Sequence, residues 1–254
     1  MTAPVLEAVA LEKRFGGVHA VAGVSFSVAA GEMLALIGPN GAGKSTCFNL
    51  VNGQLRADGG EVRLMGRSLA GLRPRAIWRL GVGRTFQITA TFASMTVREN
   101  VQMALISHHR RVWSFLSRAA AEFRAEAESL LEQVGMLEQA ERPCGVLAYG
   151  DLKRLELAIA LANDPKLLLM DEPTAGMAPG ERSALMDLTR SIVRARRLAC
   201  LFTEHDMDVV FGHADRIIVM NRGHLIAEGT AEQIRADPAV REVYLGSGAA
   251  SGGH

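Results

Sequence analysis

Apolar residues along this chain switch between two periods, and the switches mark out its elements. Residues 5–11 alternate in the manner of a strand, and 19–28 read as a hairpin-like pair after it. Met33-Leu-Ala-Leu-Ile37 is an unbroken apolar run ending at Gly38, the pattern of a parallel strand buried on both faces. A helical segment is expected over 46–53. From about 97 to 134, Ala, Leu, Glu and Arg recur at helical spacing, most clearly over 119–134. A helical insertion is therefore expected between two strand-rich portions. Strands return over 167–170, 199–203 and 217–220, separated by helix-length segments such as 180–196. That alternation predicts a mostly parallel sheet with helices on its faces. The segment from Gly246 onward is rich in Gly, Ser and Ala and is expected to be disordered.

Two places in this pattern carry chemistry. Gly38-Pro39-Asn40-Gly41-Ala42-Gly43-Lys44-Ser45 fits G-x-x-x-x-G-K-[ST] between a predicted strand and a predicted helix, the context that a phosphate-binding loop requires. Glycines let the backbone wrap so that successive N–H groups point inward, and the helix start at Thr46 adds positive potential. Lys44 is expected on the β- and γ-phosphates of ATP and the Ser45 hydroxyl on Mg²⁺. The plainer alternative, a glycine-rich turn, leaves the preceding strand unexplained.

Far downstream, Leu167-Leu-Leu-Met170 ends in Asp171-Glu172-Pro173. An apolar strand ending in Asp places a carboxylate near the magnesium at the carboxyl edge of a sheet. Glu172 would follow beyond the strand end, facing the γ-phosphate, where it can orient or deprotonate the attacking water. Alone, the pair reads as solvated acids at a strand end; with the glycine loop present, the metal-and-water reading is preferred.

Between these motifs, Leu147-Ala148-Tyr149-Gly150-Asp151 heads an amphipathic segment whose apolar side includes Leu152, Leu155, Ile159 and Ala162. With this third motif in order, the chain resembles the ATP-binding cassette of ABC transporters over 6–245. The resemblance implies an α/β P-loop NTPase fold of the ABC ATPase type: a mostly parallel sheet with an antiparallel β subdomain and a helical subdomain. It implies one domain over 1–245. Residues 1–87 and 164–245 would form a RecA-like core with the N-terminal antiparallel strands, and 88–163 the helical subdomain with the signature; 246–254 would be a disordered tail. Ala148, Tyr149, Gly150 and Asp151 would contact the γ-phosphate of ATP held by an opposite subunit. Ala148 lacks the serine hydroxyl of the family signature, and Asp151 puts an anion where a neutral amide is usual, so that it repels phosphate unless it caps its own helix.

Other positions follow by resemblance. Gln87 matches the glutamine that bridges the magnesium site to the helical subdomain. His205 matches the switch histidine on the γ-phosphate, although a lone His after a strand is more often structural. Phe15 matches the aromatic that stacks on adenine, with a core role as the alternative. Ala178 stands where the family has Asp or Asn. Arg84-Thr-Phe-Gln87, Met95-Thr-Val-Arg-Glu-Asn100, Thr203-Glu-His-Asp-Met-Asp208 and the stretch from Asp237 to Gly246 resemble the ATPases of branched-chain amino acid importers. The implied partners are a second ABC ATPase subunit (identical or related), permease subunits received by Gln87 and 88–95, and, indirectly, a periplasmic binding protein.

Composition narrows the class further. Hydrophobic residues make up 48% of 254, enough for a substantial core, and 28 basic against 27 acidic residues leave a net charge of +1. That balance gives no reason to expect nucleic acid as a partner, and basic runs such as 108–111 or Arg194, Arg196 and Arg197 read as helix faces. No apolar stretch is long enough to cross a bilayer, and Glu7 and Glu12 interrupt any signal-peptide core. Cys47, Cys144 and Cys200 are scattered, which argues against disulfides or zinc and for a reducing compartment. These signs point to the cytoplasm, and the resemblance implies the cytoplasmic face of a bacterial inner membrane. Two other classes compete: a non-transport ABC ATPase acting on nucleic acid or ribosomes, and a small-molecule kinase. The first usually needs a long coiled coil or a second cassette, and the second leaves the signature and His205 unexplained.

Overall fold

Leu6, Ala8 and Leu11 are buried along β1 (Leu6–Phe15), and Val21, Val24, Phe26 and Val28 along β2 (Val18–Val28), its antiparallel partner. The fold is a computed structural model describing residues 3–85, 91–109 and 123–246. The stretch expected to hold a hairpin-like pair is thus one strand, and the hairpin turn lies earlier, at Gly16 and Gly17. Gly23, at φ 69°, is the extra residue of a β-bulge: Leu11 pairs with Val24 and Glu12 with Ala22.

β3 (Met33–Ile37) leads through the glycine loop into α1 (Lys44–Val51). The chain then returns to the antiparallel sheet in β4 (Gly59–Leu64) and β5 (Arg67–Ser68), giving the order β2-β1-β4-β5. After α2 (Pro74–Arg79) and β6 (Val82–Thr85) come the helices α3 (Val97–His108), α4 (Arg124–Gln133) and α5 (Tyr149–Leu161). Thr96 and Glu99 close a reciprocal capping box at the start of α3. Gln87, part of 88–95, part of the helical stretch 97–134 and most of the tail lie outside the described residues.

The remainder alternates: β7 (Leu167–Asp171), α6 (Pro179–Arg196), β8 (Ala199–Thr203), α7 (Met207–His213), β9 (Arg216–Asn221), β10 (His224–Gly229), α8 (Ala231–Ala236) and α9 (Pro238–Gly246). The central sheet runs β10-β9-β3-β8-β7-β6, parallel throughout except for β10 against β9.

Its strands β3, β7 and β8 bury both faces, as their unbroken apolar runs require. Met33, Ala35 and Ile37 of β3 join Leu168, Met170, Cys200 and Phe202 in a core shared with α3, α4, α5 and α6. The alternate residues Leu34, Leu36, Leu167, Leu169 and Leu201 face α1 and the antiparallel sheet. The central sheet is therefore the middle layer, and its carboxyl edge holds the glycine loop, Asp171 and Thr203. The basic end of α6 is tied down within the chain: Arg194 pairs with Asp215, and Arg196 donates to Gln133 at 2.9 Å.

Candidate functional site

The glycine loop leaves β3 under tight steric limits. A Cβ on Gly38 would lie 2.1 Å from the Met220 carbonyl oxygen, and one on Gly43 2.2 Å from that of Ala20. Both positions also have positive φ, 150° and 102°, so only glycine fits. Gly43 is the N-cap of α1. It supplies no side-chain cap, and the first turn contains no acid, so the N–H groups there present unopposed positive potential. The buried Lys44 ammonium donates to the carbonyls of Gly38 (2.6 Å) and Pro39 (3.1 Å). Burial pulls its pKa below the usual lysine value, and the carboxylates of Glu172 and Asp171 oppose that shift.

Opposite this loop, β7 ends in the two carboxylates. Asp171 Oδ1 accepts from the Thr203 hydroxyl at 2.7 Å, and Oδ2 lies 3.8 Å from an Arg84 guanidinium nitrogen. Glu172 takes φ 49°, a conformation that costs a non-glycine residue about 1–2 kcal/mol. Its N–H donates to both the carbonyl and the hydroxyl oxygen of Thr203, each at 3.1 Å. One hydroxyl thus bonds the Asp171 carboxylate and the Glu172 backbone. The backbone reversal turns Glu172 away from the strand, and its Oε1 lies 2.8 Å from His205 Nε2. Buried Glu204 fixes the turns on either side: it accepts from Thr174 N–H (2.9 Å) and hydroxyl (2.6 Å), and from the His205 N–H (3.2 Å).

These groups border one cleft of about 460 Å³, lined by Asn40, Gly41, Ala42, Gly43, Lys44, Ser45 and Thr46 together with Glu172 and His205. Val18, His19, Ala20 and Arg222 complete its wall. Gly38 and Pro39 lie outside that lining and act on it through Lys44. Phe15 is 49% exposed and pairs in register with Val18, at the edge of the cleft, so the core alternative falls away. Gln87 lies outside the described residues.

The signature residues do not line this cleft. Ala148 is the N-cap of α5 and makes no side-chain cap bond. The Tyr149 hydroxyl donates to the Ala175 carbonyl at 3.1 Å, and Gly150 lies beside Glu181. Asp151 does not cap its own helix; its Oδ2 accepts from Gln139 at 3.2 Å. The helix is also buried more widely than its apolar side indicated, since Lys153 and Glu156 form an ion pair at 3.1 Å with side chains only 5% and 6% exposed.

Arg84, Thr203 and Glu204 entered the sequence reading only as parts of family motifs, with no site role, and His19 and Arg222 had none. Thr203 and Glu204 stand directly before His205, but nothing local reveals that one hydroxyl meets the Asp171 carboxylate and the Glu172 N–H at the end of a neighbouring strand.

Known proteins resemble this chain along nearly its whole length. The family profile described as ABC transporter matches residues 21–175, and one described as branched-chain amino acid ATP-binding cassette transporter matches 224–250. The high-affinity branched-chain amino acid transport ATP-binding protein LivG of Salmonella typhimurium is 42% identical, covering 97% of this chain and 99% of its own. BraF of Pseudomonas aeruginosa, of the same description, is 41% identical over the same shares. Among solved structures, the ADP conformation of an ATP-binding cassette of an ABC transporter superposes with a TM-score of 0.86 at 33% identity, covering 96% of this chain and all of that one. At these identities and coverages, the chain belongs to the ABC transporter family and is one of its ATP-hydrolysing subunits.

Proposed function

We propose that this ATPase powers import of a branched-chain amino acid or a related small polar solute, from the cytoplasmic face of a bacterial inner membrane. The reading is carried by one observation: the Glu172–His205 pair, 2.8 Å apart, borders the same cleft as Lys44 and the glycine loop. The match over 224–250 and the names of the relatives support the solute class.

In this reading the N–H groups from Gly41 to Thr46 hold the phosphates of ATP, and Lys44 exchanges its carbonyl partners for phosphate oxygens. Phe15 stacks on the base. Glu172 accepts the proton of the attacking water. His205 holds the Glu172 carboxylate in place and meets the γ-phosphate. Ser45 and Asp171, with Gln87, supply oxygen ligands suited to Mg²⁺. Among the described residues no group of three His, Cys, Asp or Glu could hold a metal unaided. Mg²⁺ is commonly held through one or two carboxylates plus substrate phosphate, and Asp171 would be the carboxylate here. When bound, Mg²⁺ neutralises charge on the transferring phosphate.

Ala148, Tyr149, Gly150 and Asp151 serve ATP on a second ABC ATPase subunit. No helix among the described residues is long and apolar enough to cross a membrane, and permease subunits fed by a periplasmic binding protein form the passage. Phe92, 54% exposed beside Met95, belongs to the surface that receives them. Uptake of labelled leucine by cells carrying Lys44→Ala in place of the native chain tests the reading. Loss of leucine uptake is expected; unchanged uptake would assign the transporter another solute.

A further inference from the structure

Glu172 sits in a backbone conformation that its own residue type disfavours, so the surrounding structure must hold it there. On one side β8 does so, through the two bonds from the Glu172 N–H to Thr203. On the other side the chain turns tightly. The Ala175 N–H donates to the Glu172 carbonyl at 3.2 Å, and the Met177 N–H donates to that of Thr174 at 3.1 Å. This turn is exposed at Ala175 and Gly176, and Ala178, the N-cap of α6, adds no side-chain cap bond.

The brace at Ala175 comes from α5. The Tyr149 hydroxyl donates to the Ala175 carbonyl at 3.1 Å. Its ring lies directly against the same turn: a Cβ on Gly176 would be 3.5 Å from Tyr149 Cε1. The Lys153 ammonium stands 5.4 Å from the centre of that ring and is itself fixed by the buried pair with Glu156. Tyr149 is nonetheless 43% exposed. Its rotamer is therefore set by these contacts and not by a packed core.

The geometry points to Tyr149 as a positioning residue that ties the first turn of α5 to the loop holding Glu172 within one chain. A force on the start of α5 then reaches the Glu172 backbone through two hydrogen bonds, Tyr149 to Ala175 and Ala175 to Glu172. On the reading in which α5 meets ATP held by a second subunit, on which this inference rests, each signature reports the facing nucleotide to the acid of its own chain. The contact also accounts for a tyrosine at an exposed position between Ala148 and Gly150, where a direct phosphate contact needs only backbone N–H groups.

Tyr149→Phe keeps the ring and removes the donor. Three quantities should be read on the purified chain: amide hydrogen exchange over 172–178 without nucleotide, ATP affinity, and turnover at saturating ATP. The expected result is exchange and turnover altered by about three- to tenfold, the span of one hydrogen bond, exchange rising and turnover falling. ATP affinity and the thermal midpoint should hold at wild-type values, which a merely structural role would not leave intact. Unchanged exchange over 172–178 would overturn the tether, and faster exchange with unchanged turnover would overturn its coupling to Glu172. Wild-type activity that stays full and constant per molecule on dilution to a monomer would instead defeat the underlying reading, while the exchange measurement still judged the tether.

Discussion

The proposed function gives phosphate roles to two helix starts, those of α1 and α5, and they are built differently. At α1 the chain supplies everything around the helix end: a glycine loop closed against Met220 and Ala20, a lysine, and the Glu172–His205 pair across one cleft. At α5 it supplies only the helix end. Asp151 is drawn aside by Gln139, Tyr149 braces the Glu172 loop, and no residue from Ala148 to Asp151 lines the cleft. A helix end without a facing cleft in its own chain is half of a site. The comparison therefore reads as two complementary half-sites, which two chains can complete and one cannot.

The largest expected effect separates chemistry from binding at the α1 half. Glu172→Gln should lower hydrolysis by about 10²-fold or more, the loss expected for a general base, while ATP affinity stays near normal. Turnover above half the wild-type rate would remove Glu172 from that role. Lys44→Ala should weaken ATP affinity and turnover together, because its ammonium meets the phosphates before and during reaction; unchanged affinity by calorimetry would break the cradle. Thr203→Val preserves the shape of β8 but removes the hydroxyl shared by Asp171 and Glu172, and turnover should fall by about tenfold. Phe15→Ala should cost about 1 kcal/mol of ATP affinity if the exposed ring stacks on the base, read as a change in nucleotide Kd at constant turnover. The smallest effect is structural. Asp206 caps α7 through the N–H groups of Asp208 and Val209 and pairs with Arg182. Asp206→Ala should lower stability by about 1 kcal/mol, seen as a shifted urea midpoint.

The α1 half was legible because its signals are local. The runs that became β3, β7 and β8 are continuous and apolar, which a strand buried on two faces demands. The glycine spacing records a steric limit at Gly38 and Gly43 that no other residue satisfies. Other features depend on partners far away in the chain. β4 carries only Val62 and Leu64 as buried apolar residues, and its register comes from β1. Gly23 lies within the stretch expected to hold a hairpin-like pair but serves a bulge, a distinction set by the pairing of β1 and β2. In α5 the apolar pattern foretold one buried side, whereas Lys153 and Glu156 are buried as a pair on another. The Thr203 hydroxyl and the Tyr149 brace likewise exist only once separate elements meet.

The account stands on the claim that the α5 half serves a nucleotide on another chain. The most direct test is ATPase activity per molecule of purified chain, measured over about two decades of protein concentration at saturating ATP, where mass action exposes any obligatory association. The account predicts weak activity per molecule at the dilute end, rising with concentration as pairs of half-sites close over ATP. Full activity, constant across the range in a chain that sediments as a monomer, would contradict it.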